Sequence, residues 1–224
     1  MDPALEAEMR RLPLRELSAK HFYEYNSSAK SVVQPADEML YLLPRLLELV
    51  AEGAEVHHST ELSMQRMGSC EPGAFSVRER AALDAFALAL FSERLAVSPW
   101  VQDGRAVWSN AFDLLVMFEL GGIALEPLLA HWLTSTGEAT TLNYAYSVYW
   151  NFWETQSIRN AFANDRLAFQ AAIYAWMMNP GNRACFAEKL LAVNTAALTE
   201  NEAQYCSPVT PNEVVGAVFD FAAG

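Results

Sequence analysis

Residues 76–91 read SVRERAALDAFALALF, and this stretch decides the class of the fold. Ser76 and Glu79 have the S-x-x-E spacing of a capping box, in which a hydroxyl and a carboxylate satisfy the first free amides of a helix. The apolar residues that follow recur at i, i+3, i+4, i+7 and i+8, namely Leu83, Phe86, Ala87, Leu90 and Phe91. This spacing places one apolar stripe along a helix. The stretch therefore predicts an amphipathic helix over residues 76–97.

The same helical spacing recurs along the chain, and the alternation typical of strands is nearly absent. Further helices are predicted over residues 17–31, 37–51, 107–120, 125–133, 140–153, 158–178, 184–197 and 211–221. Pro44 lacks the amide that would bond back to residue 40, so it should kink its segment or begin a second helix. The sequence predicts an all-α fold of about eight or nine helices packed as antiparallel pairs. Either a compact bundle or a short HEAT-like α-solenoid fits this pattern.

The length of 224 residues favours a single all-helical domain over residues 1–224. The least regular stretch is 52–73, which is rich in Ser, Glu, Gly and His. We expect this stretch to form a long surface loop.

Composition and chain ends indicate a soluble, reduced, cytoplasmic protein. Hydrophobic residues make up 52% of the chain and charged residues 19%, which excludes a disordered chain. The N-terminus has neither the basic nor the apolar region of a signal peptide. The apolar run over residues 85–91 is far shorter than the roughly 20 residues that span a membrane. Cys70, Cys185 and Cys206 form no CxxC pair, and each is expected to be a small buried hydrophobe.

No catalytic motif stands out. The phosphate-binding, dinucleotide-binding, zinc-protease and serine-hydrolase signatures are all missing from the sequence. We expect no catalytic residue, no cofactor and no metal. His57, His58 and Glu61 are the only candidates for a metal site, since His57 and Glu61 are four residues apart. Because zinc needs three or four ligands and no others lie nearby, two solvated histidines in a polar loop are the preferred interpretation.

The segment from Tyr144 to Trp153 is aromatic on most sides. A helix of this kind is usually central to a fold, and we expect it to be buried. The alternative is a partly exposed aromatic surface that anchors a partner or a second copy of the chain.

The charge distribution is the most informative feature for function. Lys and Arg number 15 and Asp and Glu number 27, for a net charge of −12. This balance argues against nucleic-acid binding, because phosphates would be repelled. Acidic side chains concentrate between Asp37 and Glu61, where Arg45 is the only base. Acidic surfaces often serve solubility alone, but they also suit a cationic protein partner.

Two segments resemble an uncharacterised family of bacterial all-helical proteins. One runs from Ser28-Ala29-Lys30 to Leu42-Leu43-Pro44-Arg45-Leu46-Leu47-Glu48-Leu49 and matches an L-P-R-[IL]-L-E-L segment. The other, 157–162 with the later Ala175-Trp176-Met177, is similar to an S-N-A-F-W stretch, with Ala163 in place of the tryptophan. The resemblance implies an all-α fold and a bacterial source, and it implies no activity.

These observations predict a bacterial immunity protein that binds a cognate, basic toxin domain and neutralises it sterically. The expected contact residues lie in and after the 37–51 helix, and they are Asp37, Glu38, Tyr41, Glu48, Glu52, Glu55, His57 and Glu61. The alternative is a helical scaffold or adaptor in a bacterial complex, and a metal-dependent hydrolase is the third possibility. We expect no nucleic-acid or membrane partner, and the oligomeric state is left open.

Overall fold

A computed structural model describes residues 1–29, 32–97, 111–193 and 216–219. All named secondary-structure elements in these ranges are helical, which confirms the all-α fold. Within the described residues, β-type pairing is limited to one isolated parallel bridge between Gln34 and Cys70. The chain divides into two compact units. Unit 1 comprises Met1–Leu90 and Asp113–Leu125, and unit 2 comprises Phe91–Phe112 and Glu126–Gly224. The expectation of a single domain stays a prediction.

Ten α-helices have defined bounds in the described ranges, in rough agreement with the eight or nine expected, and residues 216–219 are helical as well. The ten are α1 Pro3–Met9, α2 Ala19–Ser27, α3 Ala36–Ala51, α4 Gln65–Gly68, α5 Val77–Leu95, α6 Ala111–Leu120, α7 Glu126–Thr134, α8 Glu138–Leu142, α9 Leu167–Met178 and α10 Pro180–Leu191. Single 3-10 turns lie at Leu14–Glu16, Thr60–Leu62 and Ala161–Ala163, and π-helical turns at Asn143–Ser147 and Tyr149–Trp153. None of the helices in these ranges has both the length and the apolar character to cross a membrane. Parts of several predicted helices fall outside the described residues, as do Cys206 and the segments 30–31, 107–110, 194–197, 211–215 and 220–221.

Helix α5 begins at the predicted capping box. The Ser76 amide donates to Glu79 Oε2 at 2.7 Å, and the Glu79 amide donates to Ser76 Oγ at 3.3 Å. Hydrogen bonds from Ser76 hold the pKa of the Glu79 carboxyl below its usual range, because they favour the charged form. Leu83, Leu90 and Phe91 from the predicted stripe are buried.

Helix α3 runs through Pro44 without beginning a second helix. Pro44 is exposed, so its missing amide lies on the solvent side. The apolar residues on both sides of it are buried along one face of the helix, namely Met39, Leu42, Leu43, Leu46, Leu49 and Val50. Burial of this face keeps the two halves in one helix at the cost of one backbone hydrogen bond.

Three predicted helices differ from their expected bounds by four or more residues at one end. The helix expected over 17–31 ends at Ser27, where Ser28 is already extended. The helix expected over 158–178 begins only at Leu167, because Asn160 Oδ1 accepts from the Phe162 amide at 3.0 Å and caps a 3-10 turn instead. The helix expected from residue 184 begins four residues earlier, at Pro180. Asn179 Oδ1 accepts from the amides of Gly181 and Asn182 at 2.9 and 3.1 Å, so the Asn-Pro pair is an N-terminal cap.

Helix α1 was not predicted. Asp2 Oδ1 accepts from the amides of Ala4 and Leu5 at 2.9 and 3.0 Å, and Pro3 occupies the first helical position. The Asp-Pro pair is the local signal that could have identified this helix start.

The segment 52–73, expected as a surface loop, packs inward over much of its length. It is irregular, but it contains a 3-10 turn and α4, and the side chains of Val56, Met64 and Met67 are at most 1% exposed. Gly68 permits the closest approach in this region. A Cβ atom there would lie 1.9 Å from the carbonyl oxygen of Leu120, so only glycine lets the end of α4 meet the end of α6.

The core of unit 2 is aromatic, which confirms the burial expected for the 144–153 segment. Tyr144 and Trp153 are at most 1% exposed, and Tyr144 stacks on Phe186 with ring centroids 3.6 Å apart. The segment is not one α-helix as expected, because the chain after α8 widens into two π-helical turns. Trp153 Nε1 donates to the Tyr144 carbonyl at 2.8 Å across these turns, which satisfies a backbone acceptor. Trp150 is the exposed exception, at 48%.

Candidate partner-binding surface

The exposed face of α3 carries most of the predicted contact residues. Asp37, Tyr41, Glu48 and Glu52 follow one another at helical spacing, with Glu38 beside them, and all five are exposed. We call Asp37, Glu38, Tyr41, Glu48 and Glu52 the α3 stripe. Tyr41 is 60% exposed. The stripe thus combines acidic charge with an aromatic side chain, the type that often anchors protein interfaces.

Arg45, on the same helix, partly offsets the negative charge of the C-terminal half of the α3 stripe. The Arg45 guanidinium lies 2.9 Å from Glu48 Oε2 and 3.6 Å from Glu52 Oε1. Its Nε donates to the Leu17 carbonyl at 2.9 Å, so the side chain is held in place. The two surface ion pairs contribute at most about 1 kcal/mol each to stability. Their larger effect is to reduce the negative potential at this end of the stripe.

In the N-terminal half of the stripe, no described residue forms an ion pair with Asp37 or Glu38. Hydrogen bonds hold the Glu38 carboxylate in one position. Its Oε1 accepts from the Tyr25 hydroxyl at 2.6 Å and from Gln34 Nε2 at 2.9 Å. Burial, and after it the hydrogen bond to Glu38, raise the pKa of Tyr25 above its usual range, so the hydroxyl remains a donor. Glu38 Oε2 has no hydrogen-bond partner in the described part of the chain. This oxygen is positioned to accept from a partner without the entropy cost of ordering the side chain.

The buried Arg66 side chain holds the residues that position the Glu38 carboxylate. Its guanidinium, on a side chain only 6% exposed, donates to Gln34 Oε1 at 2.9 Å and to the carbonyls of Tyr25 and Ser28 at 2.5 and 2.9 Å. It also lies over the Tyr25 ring, 4.3 Å from the centroid. Arg66 therefore ties the end of α2 to the start of α3 and holds Gln34 against Glu38.

Sequence reasoning missed Tyr25, Gln34 and Arg66. The only local sign was a single arginine between Met64 and Met67, two residues with apolar side chains. A charged residue in an apolar segment is usually paired or hydrogen-bonded when buried, but its partners cannot be read from the sequence.

Six of the eight predicted contact residues are exposed, since Glu55 joins the five of the stripe. His57 and Glu61 are each only 8% exposed, so they present little surface to a partner. Asn26 Nδ2 donates to the carbonyl of buried Val56 at 2.9 Å and draws this part of the chain inward. The assignment of the contact surface stays a prediction, and the exposed six are the residues on which it now depends.

The alternative metal site gains no support from the geometry. The rings of His57 and His58 lie 4.2 Å apart, but within the described ranges no three His, Cys, Asp or Glu side chains are grouped to hold a metal ion. Cys70 and Cys185 are half-buried and form no disulfide. Burial raises the pKa of the Cys70 thiol, which disfavours the reactive thiolate.

Replacing Arg66 with methionine should lower the free energy of unfolding by about 2–3 kcal/mol. Methionine keeps the apolar stem but leaves the buried Gln34 Oε1 without its donor. It also removes one hydrogen bond to each of the Tyr25 and Ser28 carbonyls, although the Tyr25 carbonyl still accepts from Ser28 Oγ at 2.8 Å. The loss corresponds to a decrease of roughly 5–10 °C in Tm for a chain of this size. Urea unfolding followed by circular dichroism measures it.

Arg78→Met is the matched control, because Arg78 is exposed on α5 and its replacement should change stability by less than about 0.5 kcal/mol. Equal stability of the two variants would show that the Arg66 network is not a structural support.

No protein-family model, no curated protein and no solved structure matches the chain at a significant level.

Proposed function

We propose that the chain is an interaction protein that binds a basic protein partner through the α3 stripe and Glu55. More narrowly, we propose a bacterial, cytoplasmic immunity protein that neutralises a cognate toxin domain by covering its substrate cleft. The observation that carries the proposal is an exposed acidic helix face around Tyr41, whose Glu38 carboxylate is held by Tyr25 and Gln34.

Charge and rigidity support this surface as a binding site. Asp37, Glu38 and Glu55 make no ion pair with any described residue, so their charge is available to a partner. Complementary charge speeds association well above the neutral rate of about 10⁵–10⁶ M⁻¹s⁻¹. The buried Arg66 network keeps the start of α3 in place before the partner arrives. A rigid anionic surface with an aromatic centre can cover a cationic cleft without the free-energy cost of reorganising its own side chains.

A pull-down from the source organism's lysate across a salt series identifies the partner. We expect a basic protein that is lost at high salt, that is toxic when expressed alone, and whose toxicity is suppressed by co-expression of this chain. A partner that is harmless alone would support the adaptor alternative, and no partner at any salt would contradict binding altogether.

The double variant Asp37→Lys with Glu55→Lys should weaken binding of that partner about tenfold or more, chiefly through a lower association rate. Surface plasmon resonance at two salt concentrations measures the rates, and the difference should shrink as salt screens the charges.

The matched control is Asp165→Lys with Glu188→Lys, which makes the same change in net charge at exposed positions in unit 2. If the control weakens binding as much as the test variant, the partner responds to total charge and the α3 stripe is the wrong surface.

A further inference from the structure

Helix α9 has two apolar faces, and only one of them is covered. Phe169, Ile173 and Met177 are buried at i, i+4 and i+8. On the other side Leu167 is 75% exposed and Tyr174 is 46% exposed, with exposed Ala171 between them. All twelve residues of α9 are uncharged. A solvent-facing helix surface normally carries charge, so this face is atypical of a free surface.

A neighbouring element of unit 2 also exposes a large apolar side chain. The Tyr174 ring contacts Phe152, with centroids 5.9 Å apart. Phe152 belongs to the π-helical turn Tyr149–Trp153, which also carries Trp150, 48% exposed. Two neighbouring elements of unit 2 thus expose large apolar side chains.

We propose that this face binds a second copy of the same chain, with α9 packing against α9 in a two-fold symmetric dimer. The charge pattern selects this occupant. At a net charge of −12, two copies repel each other wherever carboxylates face each other, and an uncharged face is where they meet without that cost. A basic partner would gain nothing from an uncharged surface.

The small residues of α9 suit this packing. Ala168, Ala171, Ala172 and Ala175 are all exposed, so two helix backbones can approach closely along them. A two-fold axis perpendicular to α9 near Ala171 and Ala172 sets the helices antiparallel, which also places their dipoles in a favourable orientation. Leu167 and Tyr174 then fill the space on either side of the axis.

The dimer should be weak. Twelve helical residues span about 18 Å, and such a face is smaller than the roughly 800 Å² per partner of a standard interface. We expect dissociation constants of about 10–100 µM, the range of transient association.

Sedimentation velocity of the full chain between about 1 and 300 µM tests the proposal, over a range that brackets the expected constant. We expect a monomer at the low end and a dimer at the high end. Ala171→Glu should leave a monomer at all concentrations, because two carboxylates would meet at the axis. The matched control Ala85→Glu, at an exposed alanine of α5, should dimerise as the unmodified chain does.

Leu167→Asn serves as a second variant in case Ala171→Glu fails to fold. Its side chain is mostly exposed, so the fold should tolerate the change while dimer affinity decreases at least about fivefold. Raising the salt to about 1 M should not dissociate the dimer, since screening reduces the repulsion between the two copies. A monomer throughout, or dimerisation that neither α9 variant weakens, would overturn the proposal.

Discussion

Gly68→Ala should lower the free energy of unfolding by about 4 kcal/mol or more, a larger loss than most single substitutions cause. The new Cβ atom would lie 1.9 Å from the Leu120 carbonyl oxygen and 2.9 Å from its carbon. Both are backbone atoms, so no side-chain rotation relieves the overlap, and α4 must move away from the end of α6. Thermal unfolding should show Tm decreased by about 10 °C.

Gly137→Ala is the control for this substitution. Gly137 has φ −66° and ψ 141°, which alanine adopts readily, and its new Cβ would meet only the Thr140 side chain, at 3.4 Å. We expect a loss of at most about 1 kcal/mol there, because glycine is a somewhat better helix cap than alanine. If both variants were equally stable, the close approach of α4 and α6 would be wrong.

Trp132→Ala should destabilise the protein by about 3–5 kcal/mol, the range for removing a buried tryptophan. Trp132 is fully buried, and its ring lies 5.5–6.4 Å from those of Phe91, Trp176 and Phe186. Its Nε1 donates to the Thr140 carbonyl at 3.1 Å, so the substitution also removes a buried hydrogen bond. Urea unfolding followed by near-ultraviolet circular dichroism reports on this aromatic core.

Trp150→Ala provides the comparison, because Trp150 is 48% exposed and its loss should cost about 1 kcal/mol or less. Trp132→Phe separates packing from hydrogen bonding, since it keeps a ring and removes the donor, and should cost about 1–3 kcal/mol. Similar effects of Trp132→Ala and Trp150→Ala would contradict the placement of Trp132 at the centre of the core.

Local sequence patterns were sufficient to predict much of the fold. The capping box at Ser76 and the apolar stripe after it placed α5 nearly to the residue. The run from residue 37 to 51 became α3, because the burial of its apolar face outweighs the one bond lost at Pro44. The aromatic content of residues 144–153 correctly indicated a core segment. In each case the signal lies within one helix, where the repeat of 3.6 residues can be read directly.

The candidate surface was only partly predictable. The exposed acids of α3 follow from the same helical repeat that buries Met39 and Leu42. The burial of His57 and Glu61 cannot be read from the helical repeat, because it depends on how residues 52–73 fold back onto the rest of unit 1. The break at Asn160 was missed because a side-chain cap competes with helical bonds of similar strength.

The sequence by itself determined the helical class, the acidic balance and the exposed and buried faces of α3 and α5. These properties depend on composition and on residues within a few turns of one another. Only the tertiary structure decided that Arg66 reaches Gln34 and Tyr25, which are 32 and 41 residues away, and that Glu38 is held as a result. The free energy of a buried guanidinium depends on which acceptors surround it, and chain folding brings those acceptors together from segments that share no local pattern.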